Sequence, residues 1–124
     1  NCSIAQRAAL TALTSPKESS KAMANAYYQR RQLVYDLLKK IPGVEANMPQ
    51  GAFYFFPDVS SYFGNKGIRD AADLCIYLLE ESHVSLVSGE GFGEPNCLRL
   101  SYAASEEHLI IALARITKAL EKLS

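Results

Sequence analysis

Arg99 is the residue whose setting most needs a chemical explanation. It sits between Leu98 and Leu100 in a segment, Cys97 to Ala103, where apolar and polar residues alternate as on a strand with one covered face. A guanidinium there is permanently charged and costly to leave unpaired beside an apolar core. Three roles suit it: an arginine on an edge strand, one half of an internal ion pair, or a planar fork aimed into a cleft. In the last case it would bind a carboxylate through two parallel hydrogen bonds.

The other reactive residue types are less suggestive. The acidic pairs Glu80-Glu81, Glu106-Glu107 and Asp70/Asp73 fall on or at the ends of expected helices, where solvated charge is the ordinary reading. His83 and His108 have no second ligand at metal spacing, so surface or capping roles are expected and no metal is. Ser88-Gly89 lacks the nucleophile-elbow context. Gly89 to Gly93 contains the GxG pattern but leads into a strand, whereas a phosphate-binding turn needs a helix there to aim its amides at the anion. Seven lysines are present, six on expected helices and Lys66 in a loop. None has the apolar surroundings that would desolvate an amine for Schiff-base chemistry. No catalytic nucleophile is expected in this chain.

The elements that would position Arg99 are marked by start and stop signals. Ser3 to Gln6 fits a capping box opening a first helix with Ile4, Ala5, Ala8, Ala9, Ala12 and Leu13 on one stripe. Ser15-Pro16-Lys17-Glu18 combines a serine cap, a proline at the first helical position and a glutamate at the third. The helix it opens is expected to run from Pro16 to Lys40, about 37 Å, with Arg30 and Arg31 on its polar face. Four consecutive aromatics, Phe53 to Phe56, predict a strand over 52–56 buried on both faces. A third helix is expected over about 70–82 and a short strand over 84–87. A glycine-dense loop around Phe92 follows, then the Arg99 strand with Leu98, Leu100 and Tyr102 on one face. Ser105 caps a last helix that is acidic in its first turn and basic in its last. The fold class is therefore α+β: a sheet of three strands or slightly more, with amphipathic helices packed on one face and the last two strands adjacent.

Composition sets the outer limits. The 124 residues suffice for one cored domain. With 13 basic and 13 acidic residues the formal charge is zero, which gives no electrostatic reason to expect nucleic acid or an anionic membrane as partner. No apolar run approaches the roughly 18 residues of a spanning helix, and no basic-then-apolar leader is visible. Cys2, Cys75 and Cys97, an odd set without a CxxC, predict buried or half-buried free thiols in a reducing compartment. The chain opens at Asn1, directly before a helix cap, and is expected to be a piece of a longer polypeptide.

Taken in order, several segments resemble one family. They are Ile4-Ala5-Gln6-Arg7-Ala8-Ala9, Arg30-Arg31-Gln32-Leu33 leading to Ile41-Pro42-Gly43, Pro49 to Pro57 with Gly51-Ala52-Phe53, Gly89 to Gly93, and Leu98-Arg99-Leu100-Ser101-Tyr102-Ala103. Together they look like the C-terminal small domain of the fold-type I pyridoxal-phosphate enzymes, nearest the aspartate and aromatic group of class I/II aminotransferases. The likeness covers nearly the whole chain. One departure is Ser88, where the family often has proline before the first glycine of the loop.

The resemblance implies residues 1–14 as a helix at the junction with a missing large domain and 15–124 as the small domain. It implies that Arg99 binds the substrate α-carboxylate and that Phe53 lines the substrate side of the site. The cofactor would be pyridoxal 5'-phosphate, held mainly by the large domain, which would also supply the Schiff-base lysine, so this chain alone would be inactive. The parent would be a cytoplasmic homodimer acting on an amino acid and a 2-oxo acid. Two other implied readings remain open: an aminotransferase-like effector domain of a transcriptional regulator, and a lyase using the same cofactor.

Overall fold

The computed structural model describes residues 2–123. Its helices are α1 (Ser3–Thr14), α2 (Glu18–Leu38), α3 (Ala71–Ser82) and α4 (Glu106–Glu121). Its strands are β1 (Tyr54–Phe55), β2 (Val87–Ser88) and β3 (Leu98–Ser101). The strands form one antiparallel sheet in the order β1-β3-β2, so the last two strands are neighbours as expected. The expected α+β class holds.

Arg99 is therefore not on an edge strand. β3 is the middle strand, with Phe55 opposite Leu100 on one side and Val87 opposite Arg99 on the other. Leu98, Leu100 and Tyr102 point into the core, and Arg99 and Ser101 leave from the opposite face. Behind the sheet, α4 packs against both α2 and α3. Leu109, Leu113, Ile116 and Leu120 of α4, Leu74 and Leu78 of α3, and Val34 and Leu38 of α2 close the core around Phe55.

Two helix starts differ from expectation. Cys2, not Ser3, occupies the cap of α1; its carbonyl accepts from Gln6 N–H at 3.1 Å and no side chain caps the helix, so the capping box does not form. Ser15 ends α1 instead of opening α2, because its N–H donates to the Thr11 carbonyl at 2.9 Å. Its extended backbone is the geometry that a following proline imposes. α2 then begins at Glu18 and ends at Leu38, shorter than expected at about 31 Å.

The strands also shrink to what β3 can pair. Residues 84–87 were expected as a strand; only Val87 and Ser88 lie opposite β3, while Val84 and Leu86 pack half-buried against the core. The aromatic run is not buried on both faces. Phe55 faces the core with Leu100 and is 1% exposed. Tyr54 and Phe56 alternate onto the side that helices do not cover and are only half-buried, and Phe53, before the strand, is 51% exposed. Ala52, at φ 58°, turns the chain immediately before this strand.

The last two helix starts match the sequence. Ser105 accepts from His108 N–H at 3.3 Å, and Asp70 Oδ1 accepts from Asp73 N–H at 2.9 Å. His83 takes the left-handed position that ends α3. Asp70→Ala is expected to destabilise the chain by about 1 kcal/mol while Asp70→Asn keeps most of the cap. The shift in urea midpoint distinguishes the two; an equal loss in both would show that the side-chain oxygen is not the cap.

Candidate functional site

Arg99 is half-buried, yet among the described residues no carboxylate forms an ion pair with it. The ion pairs among the described residues are Arg69–Asp73 and Glu81–Lys122, each at 2.7 Å and both remote from β3 in sequence. The internal ion pair is thus the second role the structure removes. The Arg99 guanidinium carbon lies 4.8 Å from the ring centre of Phe92 and 5.8 Å from that of Tyr54. Both distances are within the range where a cation is attracted to an aromatic face. Neither ring consumes an N–H of the fork as a carboxylate would, so the donors stay available.

Each ring is held from a different element. Tyr54 belongs to β1, which pairs with β3 through Tyr54 opposite Ser101. Phe92 ends a 3₁₀ turn over Glu90–Phe92, in which Phe92 N–H donates to the Gly89 carbonyl at 2.9 Å. Gly89 is tied to β3 by its N–H to the Cys97 carbonyl at 2.8 Å. A Cβ on Gly89 would stand 2.3 Å from the Glu94 carbonyl oxygen and 2.7 Å from that of Cys97, so only glycine permits this approach. Gly93 then reverses the chain at φ 84°. The loop ends in β3 and not in a helix, which agrees with its rejection as a phosphate cradle.

Phe53 lies to one side of this arrangement. Its ring meets Tyr54 edge-on at 5.9 Å, and Tyr54 alone links it to Arg99. Its carbonyl accepts from Tyr102 N–H at 2.8 Å, and the Tyr102 hydroxyl donates to the Ala52 carbonyl at 2.9 Å. Phe53 borders an open cavity of about 480 Å³ whose wall includes Met23, Tyr27, Tyr28, Arg31 and Tyr102, but not Arg99. The two candidate substrate contacts are therefore neighbours through Tyr54 and do not share a pocket within this chain.

Arg30 and Arg31 depart from their expected place on a solvated face. Both are half-buried against Tyr27 and Tyr28, respectively 5.5 and 4.8 Å from the ring centres. Arg31 Nη1 also donates to the Pro49 carbonyl at 2.9 Å, which fastens the turn before Phe53 to α2. Their Nε atoms are buried without a partner. This arrangement was not read from the sequence; the signal available was the tyrosine pair directly before the two arginines.

The remaining reactive groups have local explanations. Asp70 caps α3, Arg69 holds the Asp73 carboxyl below its ordinary range, and Lys122 does the same for Glu81. Burial raises the Cys97 thiol, with the charges of Asp58 and Glu94 adding to it, and burial raises Cys75 as well. Both thiols stay protonated, the unreactive form. Cys2 is exposed, contrary to the expectation of three covered thiols. All seven lysines are exposed. Among the described residues, no group of three His, Cys, Asp or Glu side chains converges as a metal site. What remains is an unneutralised guanidinium on a rigid strand, able to receive an anionic group of carboxylate geometry.

Comparison with known proteins identifies the family of this chain. The family described as aminotransferase class I and II matches residues 2–116. An aspartate aminotransferase of Geobacillus stearothermophilus is 44% identical over 119 residues, covering 96% of this chain and 30% of that protein. Among solved structures, the aspartate aminotransferase of Rhizobium meliloti superposes with a TM-score of 0.92 at 39% identity, covering 98% of this chain and 32% of the other. An alanine aminotransferase of Pyrococcus furiosus superposes at 0.87 and 32% identity, over 95% of this chain and 30% of the other. The chain thus spans about 30% of the length of the curated relatives it matches.

Proposed function

The chain belongs to the class I and II aminotransferases, and from that premise we propose that it serves as the substrate-carboxylate half of an enzyme that moves an amino group between an amino acid and a 2-oxo acid. The observation carrying this reading is Arg99, a charged fork on the central strand with aromatic faces beside it and no counter-ion among the described residues. Arg99 binds the α-carboxylate through two charge-assisted hydrogen bonds and so fixes the orientation of the amino acid. Phe53, whose ring is exposed, lines the substrate-facing surface in this reading.

Residues 15–124 act as the small domain in this reading, and residues 1–14 join it to a larger one. Supporting this, α1 buries no residue against the rest of the chain, and Ile4 and Leu13 are each 79% exposed. An apolar surface of that kind is costly unless something covers it. The parent is read as a cytoplasmic homodimer. No helix among the described residues is long and apolar enough to cross a membrane.

Pyridoxal phosphate, when bound, supplies the electron sink of such chemistry. Every lysine here is exposed, which supports the reading that the groups anchoring it lie in the rest of the protein. The contribution of this chain is to bind and orient substrate.

The test uses the full-length protein loaded with pyridoxal phosphate and monitored by its visible spectrum. Glutamate or an aromatic amino acid alone should discharge the band of the bound cofactor, and a 2-oxo acid should restore it. A band that forms but does not cycle would overturn the transaminase reading and favour a lyase or an effector domain.

A further inference from the structure

We propose that Phe92 is a positioning residue for Arg99, holding the guanidinium by its ring face in the place where a buried arginine would ordinarily have a counter-ion. The proposal rests on the reading of Arg99 as the carboxylate fork, and the experiment below separates the two.

Phe92 is a large apolar side chain that contributes nothing to the core. It is 53% exposed and is absent from the cluster that includes Phe55, Leu74 and Leu100. Its ring touches two partners: Arg99 at 4.8 Å and, edge-on, Phe56 at 5.6 Å. The turn carrying it is fixed from both ends, by Gly89 against the Cys97 carbonyl and by Gly93 N–H donating to the Glu90 carbonyl at 3.0 Å. Phe92 is thus set beside Arg99 by backbone geometry and braced from behind by Phe56. Phe56 in turn meets Tyr54 edge-on at 5.7 Å, and Tyr54 supplies the second ring beside the guanidinium.

The same loop carries two carboxylates, Glu90 and Glu94, that could have served as counter-ions. Neither forms an ion pair with Arg99. Had one done so, it would have oriented the fork but also occupied the donors that an incoming carboxylate needs. A ring face restricts the guanidinium while leaving its charge and its in-plane N–H groups free. This resolves a conflict common to anion sites, between orienting the cation and keeping it available.

The experiment compares steady-state kinetics of the cofactor-loaded full-length enzyme with those of Phe92→Leu, Phe92→Tyr, Arg99→Leu and the Phe92→Leu/Arg99→Leu double variant. Phe92→Leu keeps an apolar side chain at a half-exposed position but removes the ring. It should raise KM for the amino acid by about three- to thirty-fold, the range of a cation–π contact, and leave kcat within about twofold because the carboxylate is still captured by Arg99. Phe92→Tyr should restore KM, and Phe92→Leu should add nothing once Arg99 is gone.

An unchanged KM in Phe92→Leu would overturn the proposal. So would equal damage from leucine and tyrosine, or an undiminished effect on the Arg99→Leu background, since these describe a packing role. If Arg99→Leu itself leaves kcat/KM intact, the carboxylate reading fails first and takes this proposal with it. If Arg99→Leu is severe and Phe92→Leu silent, only the positioning role is lost.

Discussion

Arg99→Leu in the full-length enzyme is expected to lower kcat/KM for its amino acid by about 10²- to 10³-fold, with a raised KM. Leucine is close to the apolar stem in size and suits a strand between Leu98 and Leu100, so the fold should survive. What disappears is a permanently charged fork that pairs with a carboxylate through two hydrogen bonds. Removing one partner of such a pair typically costs 2 to 5 kcal/mol, roughly that range of rate. Part of the loss is entropic: without the fork the amino acid can rotate, and a misplacement of about 1 Å already slows a positioned reaction about 100-fold. Arg99→Lys separates charge from shape. Lysine retains the charge but presents a point donor, so it should recover only part of the activity. Unchanged kcat/KM in Arg99→Leu would remove the role assigned to this residue.

Arg99 was legible as a candidate because its chemistry conflicts with its neighbours. Its surroundings were not, and the reason is physical. Alternation along Cys97 to Ala103 fixes which side chains share a face, but pairing partners are set by register with distant segments. Whether β3 was central or at the edge, and whether a carboxylate faced Arg99, depended on where residues 54–55 and 87–88 came to lie. Phe92 was visible as a lone aromatic in a glycine-dense loop. Only the loop's path, set by the contact of Gly89 with the Cys97 carbonyl, brings it to the guanidinium.

Helices were more readable because their signals are local. α4 has its serine cap, acidic start and one buried stripe within a single segment, and each behaves in the structure as read. The first two helices failed at their boundaries, where one serine could serve either of two neighbours. Ser15 closes α1 through its backbone, so it does not open α2. The tyrosine–arginine contacts of α2 escaped for another reason. A charged residue at helical spacing reads as solvated unless the ring it covers is known to be nearby, as Tyr27 and Tyr28 are for Arg30 and Arg31.

The aromatic run gives the sharpest test of the sheet, because two phenylalanines two residues apart should respond very differently. Phe55→Ala is expected to destabilise the chain by about 3 to 5 kcal/mol in urea unfolding, the cost of emptying a filled aromatic site. Phe55 is 1% exposed, lies 5.6 Å from the Tyr102 ring and stacks on Tyr35 at 6.4 Å with planes 14° apart. It also backs Leu100, its partner on β3 and the residue next to Arg99. The cavity would therefore open behind the strand that aims the guanidinium. Phe53→Ala, at a site 51% exposed, should cost less than about 1 kcal/mol, since little apolar surface returns to water. Its effect, if Phe53 lines the substrate side, belongs in KM. Equal destabilisation by the two substitutions would mean that the core extends beyond the start of β1 to cover Phe53 as it covers Phe55. A large difference places the end of the core between Phe53 and Phe55, behind the strand that aims Arg99.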